Sequence, residues 1–424
     1  MHLILIRSKF AHMKQNKNIL LVLSLLATLL CSCGDDRSEE FYTATQENQW
    51  IYSKMKEVYL WSGAIGEMDQ KTLFSTPKQF FKKLLHTSDN ISFFSDEEVT
   101  ASYGCKYKLV RDPLAISPSK MYALIEYVEP GSAAASAGLE RGMWISEIEG
   151  NRITTSLANK LSSGDGLELS ICSIEYDDAT SAFYWQEQGD IYMPAAMEFT
   201  QTSIPVVTVI DEPSGKSGYI LFNSFDNAED IELFNDALSS LLAEEVNNLI
   251  LDLRYNSSLS LPNAAAIAAA FIPADKQGEV FCSLQKELVT DAGNGNGETI
   301  TIPASTTNAS DKPLYIITTA ETQGIATTLI KGIQVLRGTS DVWTVGKAAE
   351  CVNLYTEKFT SPYSFEINPA TAYIYDAAGE IASPSLPDFE IQGEAYYPIP
   401  PLGNSQEYML YNICYLIATG TLPE

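Results

Sequence analysis

The sequence predicts a multidomain α/β chain with α+β character, on three observations. Between Ser217 and Pro273, two apolar runs of strand length, Tyr219 to Phe222 and Leu249 to Leu253, flank a stretch where Ile231, Phe234, Leu238 and Leu241 recur at spacings of three and four. Strand, helix and strand in that order make a βαβ crossover, whose parallel strands wind right-handedly. The same alternation returns later, with a strand at Leu314 to Thr319, a helix face of Ile325, Leu329, Ile330 and Ile333, and a strand at Val342 to Gly346. The length of 424 residues then predicts two or three domains, at roughly 100 to 200 residues each.

Residues 1–33 read as an export leader. Lys14 and Lys17 precede an apolar core, Ile19 to Leu30, and Leu30-Cys31-Ser32-Cys33 supplies a small-residue cleavage site ending in cysteine. A run this short falls below the roughly 20 residues of a membrane-spanning helix. The pattern resembles a bacterial lipoprotein signal, with Met13 as the expected start, cleavage before Cys33 and lipidation of its thiol; ordinary secretion is the alternative. Residues 34–40 form an acidic tether like those that resemble surface-export signals of Bacteroidota lipoproteins. The expected location is the outer membrane, facing outward, with the periplasmic face as alternative.

The leader carries four cations and no acids, so its removal takes the formal charge from -27 to -31. Such a surface repels nucleic acid and anionic headgroups, which leaves the lipid on Cys33 as the membrane attachment. Cys105, Cys172, Cys282, Cys351 and Cys414 are odd in number and lack CxxC spacing, so they read as buried free thiols. No residue pattern implies a metal or cofactor. Gly293-Asn294-Gly295-Asn296-Gly297 has the glycines of a phosphate loop without its lysine or following helix, and is expected to be a hairpin tip.

The words GYILFNSF, LILDLRYN, PDFEI and PPLGNSQEYML resemble the carboxyl-terminal processing peptidases, or tail-specific proteases, from about Trp50 to the end of the chain. That resemblance implies a helical amino-terminal cap (41–97), a PDZ-like β domain (98–180) and a tail-specific-protease-like α/β core of ClpP/crotonase type (181–424). In the cap, Trp50, Ile51, Met55, Val58 and Tyr59 lie at helical spacing, and Pro77 opens a second helix through Leu85. His86, the one histidine beyond the leader, reads as a solvated side chain and not a base. In the PDZ-like stretch, Gly131 to Leu139 reads as a short helix with a glycine stop, between a strand at Ala123 to Val128 and a strand and turn over Arg141 to Gly150. The resemblance places a carboxylate-binding nest of amides near Tyr103, Gly104, Cys105 and Lys106. Ile191 to Met197 and Val206 to Ile210 are expected strands, and 298–312 a polar surface loop.

The family's chemistry is a serine nucleophile at a strand-to-helix turn, activated by a lysine kept neutral by desolvation. Aligned on Thr322 and Gly332, the serine position holds Gly324, which has no side chain. The lysine position after the next strand holds Val352. Lys347 lies five residues earlier, well over ~10 Å away along an extended strand. Where the family has a glycine pair shaping the oxyanion hole, this chain has Asn256-Ser257-Ser258. Losing one member of such a catalytic unit costs on the order of 10⁶ in kcat. Thr322, Thr327, Ser257 and Ser258, with Lys331 or Lys347 as partner, are the residues a relocated dyad would use.

Three functional readings follow. The leading one is a surface lipoprotein with a disabled peptidase scaffold that binds peptides or protein carboxyl termini. Its rivals are an active serine-type peptidase with relocated residues and a structural subunit of an outer-membrane complex.

Overall fold

The computed structural model describes residues 38–68, 72–96, 101–288, 297–392, 397 and 399–423. The leader, Cys33, and residues 293–296 of the glycine-rich stretch lie outside the described residues. In chain order the first elements are α1 (Ser38–Val58), α2 (Pro77–Leu84) and β1 (Phe93–Asp96). Next come β2 (Cys105–Arg111), β3 (Met121–Val128), α3 (Ala133–Ser136), β4 (Trp144–Ile148), β5 (Asn151–Arg152), α4 (Thr155–Ala158), β6 (Leu167–Asp177) and β7 (Ala182–Met193). The crossover region holds β8 (Val206–Glu212), β9 (Gly215–Leu221), α5 (Ala228–Ala243), β10 (Asn248–Asp252), α6 (Leu261–Ala269), β11 (Val280–Gln285) and β12 (Glu298–Thr301). The remainder is β13 (Leu314–Thr318), α7 (Ala326–Arg337), β14 (Val342–Gly346), β15 (Leu354–Thr356), β16 (Phe359–Thr360), β17 (Phe365–Asn368), β18 (Ala370–Tyr375), β19 (Phe389–Glu390) and α8 (Tyr408–Thr419). Among the described residues, no helix is long and apolar enough to cross a membrane.

The chain divides into two units, the first comprising residues up to Phe94 together with Phe359–Ile367. Thr76 caps α2 by accepting from the Gln79 N–H, and Pro77 occupies the first turn, where its missing N–H costs nothing. Ile51 and Met55 of α1 and Phe80 and Phe81 of α2 are buried. Phe94 stacks on Phe365 at 4.9 Å, and Trp50 meets the edge of the same ring at 5.7 Å. The expected cap of residues 41–97 therefore recruits a distant hairpin, β16 and β17, and α1 begins three residues inside the stretch read as a tether.

The second unit contains three sheets. The first has strand order β2-β3-β4-β6-β7, with β5 paired to β4 and every pairing antiparallel. Its closing hairpin, β6 and β7, runs to Met193, and a bridge joins Ser102 to Met197. The module thus extends past residue 180, and the strand expected at Ile191 to Met197 is the tail of β7. Phe183 to Tyr192 are largely exposed and polar, so alternation gave little sign of that strand.

The central sheet has order β19-β14-β13-β10-β9-β8. Its strands are parallel except β8, which joins β9 in a hairpin. Leu249 and Leu251 enter one apolar cluster with Phe234, Leu238 and Leu241 of α5, whereas Ile250 enters another with Leu410, Ile413 and Leu416 of α8. Successive strand residues face opposite sides, so a parallel strand covered on both faces must be apolar throughout. Each buried Leu or Phe contributes roughly 1.5–3 kcal/mol. A third sheet, β12-β11-β18-β15, was not expected. Residues 298–301, read as loop, form its edge strand β12, and Ile302 and Ala309 beyond it are buried.

Candidate functional site

The strand-to-helix turn after β13 lies beside the segment leaving β10, and backbone hydrogen bonds lock the two together. Gln323 N–H donates to Asn256 O at 2.8 Å, and Ile325 N–H donates to Ser258 O at 2.7 Å. Gly324 sits between them at φ +68°. A Cβ there would lie 2.3 Å from Ser258 O and 3.0 Å from Ser257 O. Only glycine fits this position: the left-handed backbone disfavours a side chain, and two carbonyls fill its space. On the other flank, Val352 N–H points at Gly324 O at 3.4 Å. The positions aligned with nucleophile and base are therefore neighbours, and neither carries a group that can attack or take a proton.

The other hydroxyls are mostly committed to the backbone. Thr322 Oγ1 donates to Leu253 O and accepts from Thr319 N–H, both at 2.9 Å, and is fully buried. Ser258 Oγ accepts from Phe225 N–H at 2.8 Å, and Thr327 Oγ1 faces Gly324 O at 3.5 Å. Ser257 is exposed, as is Lys331 on α7, while Lys347 is half-buried at the end of β14. Burial pushes the thiol of Cys351, next to Val352, up despite a lowering contribution from Thr327, which disfavours the reactive thiolate. His86 belongs to the first unit, stacked on Trp61, with its Nδ1 accepting from Ser88 N–H at 3.2 Å.

Near Tyr103, where an amide nest was expected, the Gly104 amide has a partner within the chain. Gly104 N–H donates to Ser102 Oγ at 3.1 Å, Tyr103 O accepts from Ala134 N–H, and a Cβ on Gly104 would lie 2.2 Å from Ser132 Cβ. Cys105 and Lys106 pair into β2 opposite Val128 and Tyr127. Lys106 reaches across to Glu321 at 2.8 Å, joining the first sheet to the strand-to-helix turn of the central one.

The charged residues at the end of β10, Asp252 and Arg254, are buried. Arg254 contacts Asp252 Oδ2 at 2.8 Å and both carboxylate oxygens of Glu407, at 2.8 and 3.2 Å. Tyr219 donates to Asp252 at 2.7 Å, and Arg141, from the first sheet's module, adds a bond to Glu407 at 3.0 Å. Burial would raise the Glu407 carboxyl, but the Arg254 and Arg141 charges outweigh it and hold the group near about 2. Glu407 also caps α8, accepting from Met409 and Leu410 N–H. Glu407 was not among the residues singled out in the sequence. The one signal available was an acid at a helix amino terminus, where the dipole favours negative charge.

An antiparallel β module, a doubly covered parallel sheet and a strand-to-helix turn facing the end of β10 define the class of the carboxyl-terminal processing peptidases. Residues 46–95 match the model of the Peptidase S41 N-terminal domain, and residues 216–384 that of Peptidase family S41. The chain belongs to this family. A candidate S41 protease of Bacteroides fragilis NCTC 9343 is 26% identical, with a TM-score of 0.72 over 88% of this chain and 97% of its own. The photosystem II D1 C-terminal processing protease shares the fold, with a TM-score of 0.50 and 13% identity over 90% and 98% of the two chains. No protein of curated function matches the chain significantly in sequence.

Proposed function

We propose that this chain is a non-hydrolytic member of its family that binds peptides or protein carboxyl termini. One observation carries the reading: Gly324 is enclosed by the carbonyls of Ser257 and Ser258, with the neighbouring Ile325 amide donating to Ser258 O. An oxyanion hole needs amides aimed at the reacting oxygen. Here the amide beside the nucleophile position is satisfied by the chain itself, so both the attacking group and part of the transition-state cradle are missing. The scaffold around this turn is otherwise fully folded, which supports retention for binding. The module with order β2-β3-β4-β6-β7 leaves β2 as an edge strand, the element to which PDZ domains add peptides. The leader and Cys33 support anchorage in the outer membrane by lipid, facing outward.

The test is to purify the full chain in detergent and incubate it with a mixed unstructured-peptide library read by mass spectrometry. No cleavage, together with calorimetric heat from binding, is the expected result. Cleavage that disappears on a single Ser257→Ala or Thr327→Ala change would overturn the reading in favour of a relocated nucleophile. Folded protein that neither cleaves nor binds would favour the structural-subunit role.

A further inference from the structure

The antiparallel sheet of the first module ends at β7, and among the described residues no strand or isolated bridge pairs with the outer side of that strand. Native sheets protect such an edge with lysine, proline, short length or a cover. β7 has 12 residues, contains neither lysine nor proline, and is exposed along nearly its whole length. A bulge at Gln188 divides it, since Ile171 pairs with Gly189 and Cys172 with Glu187, so Ala182 to Glu187 is its longest regular run. We propose that this run adds an extended segment of a partner protein in which basic and apolar residues alternate. The inference goes beyond the reading of the Gly324 turn and uses the edge opposite β2.

A strand places successive side chains on opposite faces, and the two faces of this run differ. On one, Phe183 sits opposite Tyr176 and Trp185 opposite Ile174. The Phe183 ring lies 4.9 Å from Tyr176 and 4.3 Å from Tyr397, and Tyr176 and Phe183 are 49% and 40% exposed. Trp185 stacks on Tyr122 at 4.0 Å and donates to Asp112 at 3.0 Å, which holds the strand in place. On the other face, Tyr184 sits opposite Glu175 and Ala182 opposite Asp177. Tyr184 is 41% exposed, and Glu175 is exposed beside it. An added strand would therefore meet an aromatic strip on one face, and on the other a ring backed by two carboxylates.

Charge selects the occupant. No Lys, Arg or His occurs between Lys160 and Lys216, a span that holds ten acids, six of them within the hairpin of β6 and β7. Around the hairpin, Arg141 is paired with Glu407, and Lys120 lies over the Tyr122 ring at 4.6 Å. Glu175 accepts from the Ser173 hydroxyl at 2.8 Å. A lysine or arginine on the added strand, opposite Tyr184, gains both the ring face and the Glu175 charge. A second copy of this chain is a poor occupant, because it would set the acidic hairpin against itself.

The probe is the blocked peptide acetyl-Lys-Val-Arg-Phe-Lys-Val-Arg-amide, which has no terminal carboxylate, titrated by calorimetry into the full chain in detergent. A peptide of the same composition, acetyl-Lys-Arg-Lys-Arg-Val-Phe-Val-amide, keeps the charge and loses the alternation. The alternating peptide is expected to bind about fivefold more tightly, since only it forms cross-strand pairs on both faces. Tyr184→Lys, which puts an edge-protecting charge on β7, and Glu175→Ala are each expected to weaken it about threefold to fivefold. Glu232→Ala, which removes an exposed acid from α5, is expected to leave binding unchanged. Equal affinity for the two peptides, or equal weakening by Glu232→Ala, would reduce the effect to net charge and overturn strand addition. Affinity that survives both hairpin variants, each checked by thermal melting, would move the site elsewhere. A dimer in sedimentation that Tyr184→Lys dissociates would make a second copy the occupant and overturn the basic segment. No binding to the native chain would remove the proposal and leave the carboxyl-terminal reading, which the mixed library tests, untouched.

Discussion

The Ile325 N–H donates to the Ser258 carbonyl at 2.7 Å, so the amide that follows the nucleophile position is closed by the chain's own backbone. Inactivity of this arrangement would then be a property of backbone geometry as well as of missing side chains. Restoring the side chains alone is expected to fail. Gly324→Ser puts a Cβ into the Ser258 carbonyl at a positive φ, a conflict of about 1 kcal/mol or more before the steric overlap is counted. The double variant Gly324→Ser with Val352→Lys should melt at lower temperature than the native chain and still leave the peptide library uncut. Serine-dependent cleavage by that variant would mean that residues 257–258 swing aside readily.

Glu407→Gln should be among the most damaging single changes in the chain. The carboxylate is shared by Arg254 and Arg141 and also caps α8, so its removal leaves Arg254 buried with only Asp252 as a charged partner. Breaking a buried pair by deleting one partner costs about 3–5 kcal/mol. Arg141→Ala, whose side chain is 17% exposed, should cost less. Urea denaturation of both single variants and the double variant checks this, and purely additive losses would show that the three groups do not act as one network.

The layout of the central sheet was legible in the sequence because burial on both faces forces unbroken apolar runs, as in Leu249 to Leu253. The helix α5 was legible for a related reason, since Phe234 and Leu238 must recur with the helical period to cover that sheet. What stayed hidden depends on long-range pairing. Phe365 joins Phe94 and Trp50 across more than half the chain, and no local pattern announces it. The ionic network was hidden likewise, because Arg254 and Glu407 are 153 residues apart and each alone reads as an ordinary surface charge. At the family's catalytic turn, the missing serine and lysine were readable one residue at a time. The closure of the Ile325 amide was not, since it depends on where residues 256–258 travel after β10.

The pH dependence of stability has a definite sign. Glu407 has its folded pKa depressed to about 2 against an ordinary 4.5, so the folded state binds its proton less readily than the unfolded chain. Its contribution is complete above the unfolded value and is lost as pH falls through the folded one. The size of the shift corresponds to roughly 3 kcal/mol at neutral pH. Native chain and Glu407→Gln should therefore differ by a constant amount from pH 7 to pH 5, and the gap should narrow steadily between pH 4.5 and pH 2. Denaturant midpoints measured across that range check it, and a gap that stays constant to pH 2 would assign the cost of the variant to packing or capping.

The thiols offer a test of the core that needs no substitution. Burial pushes Cys105 and Cys414 up to about 11 and Cys172 and Cys282 up to about 12. The thiolate is the reacting species, so at pH 8 each of these groups in the folded chain should alkylate far more slowly than the same cysteine in urea. Cys172 and Cys282, which are buried, should be the slowest, because reagent access is blocked as well. Iodoacetamide labelling followed by peptide mass spectrometry gives the order directly. Fast labelling of Cys282 in native protein would show that α7 and the sheet containing β11 open together, since Cys282 shares an apolar cluster with Leu329, Ile330 and Ile333.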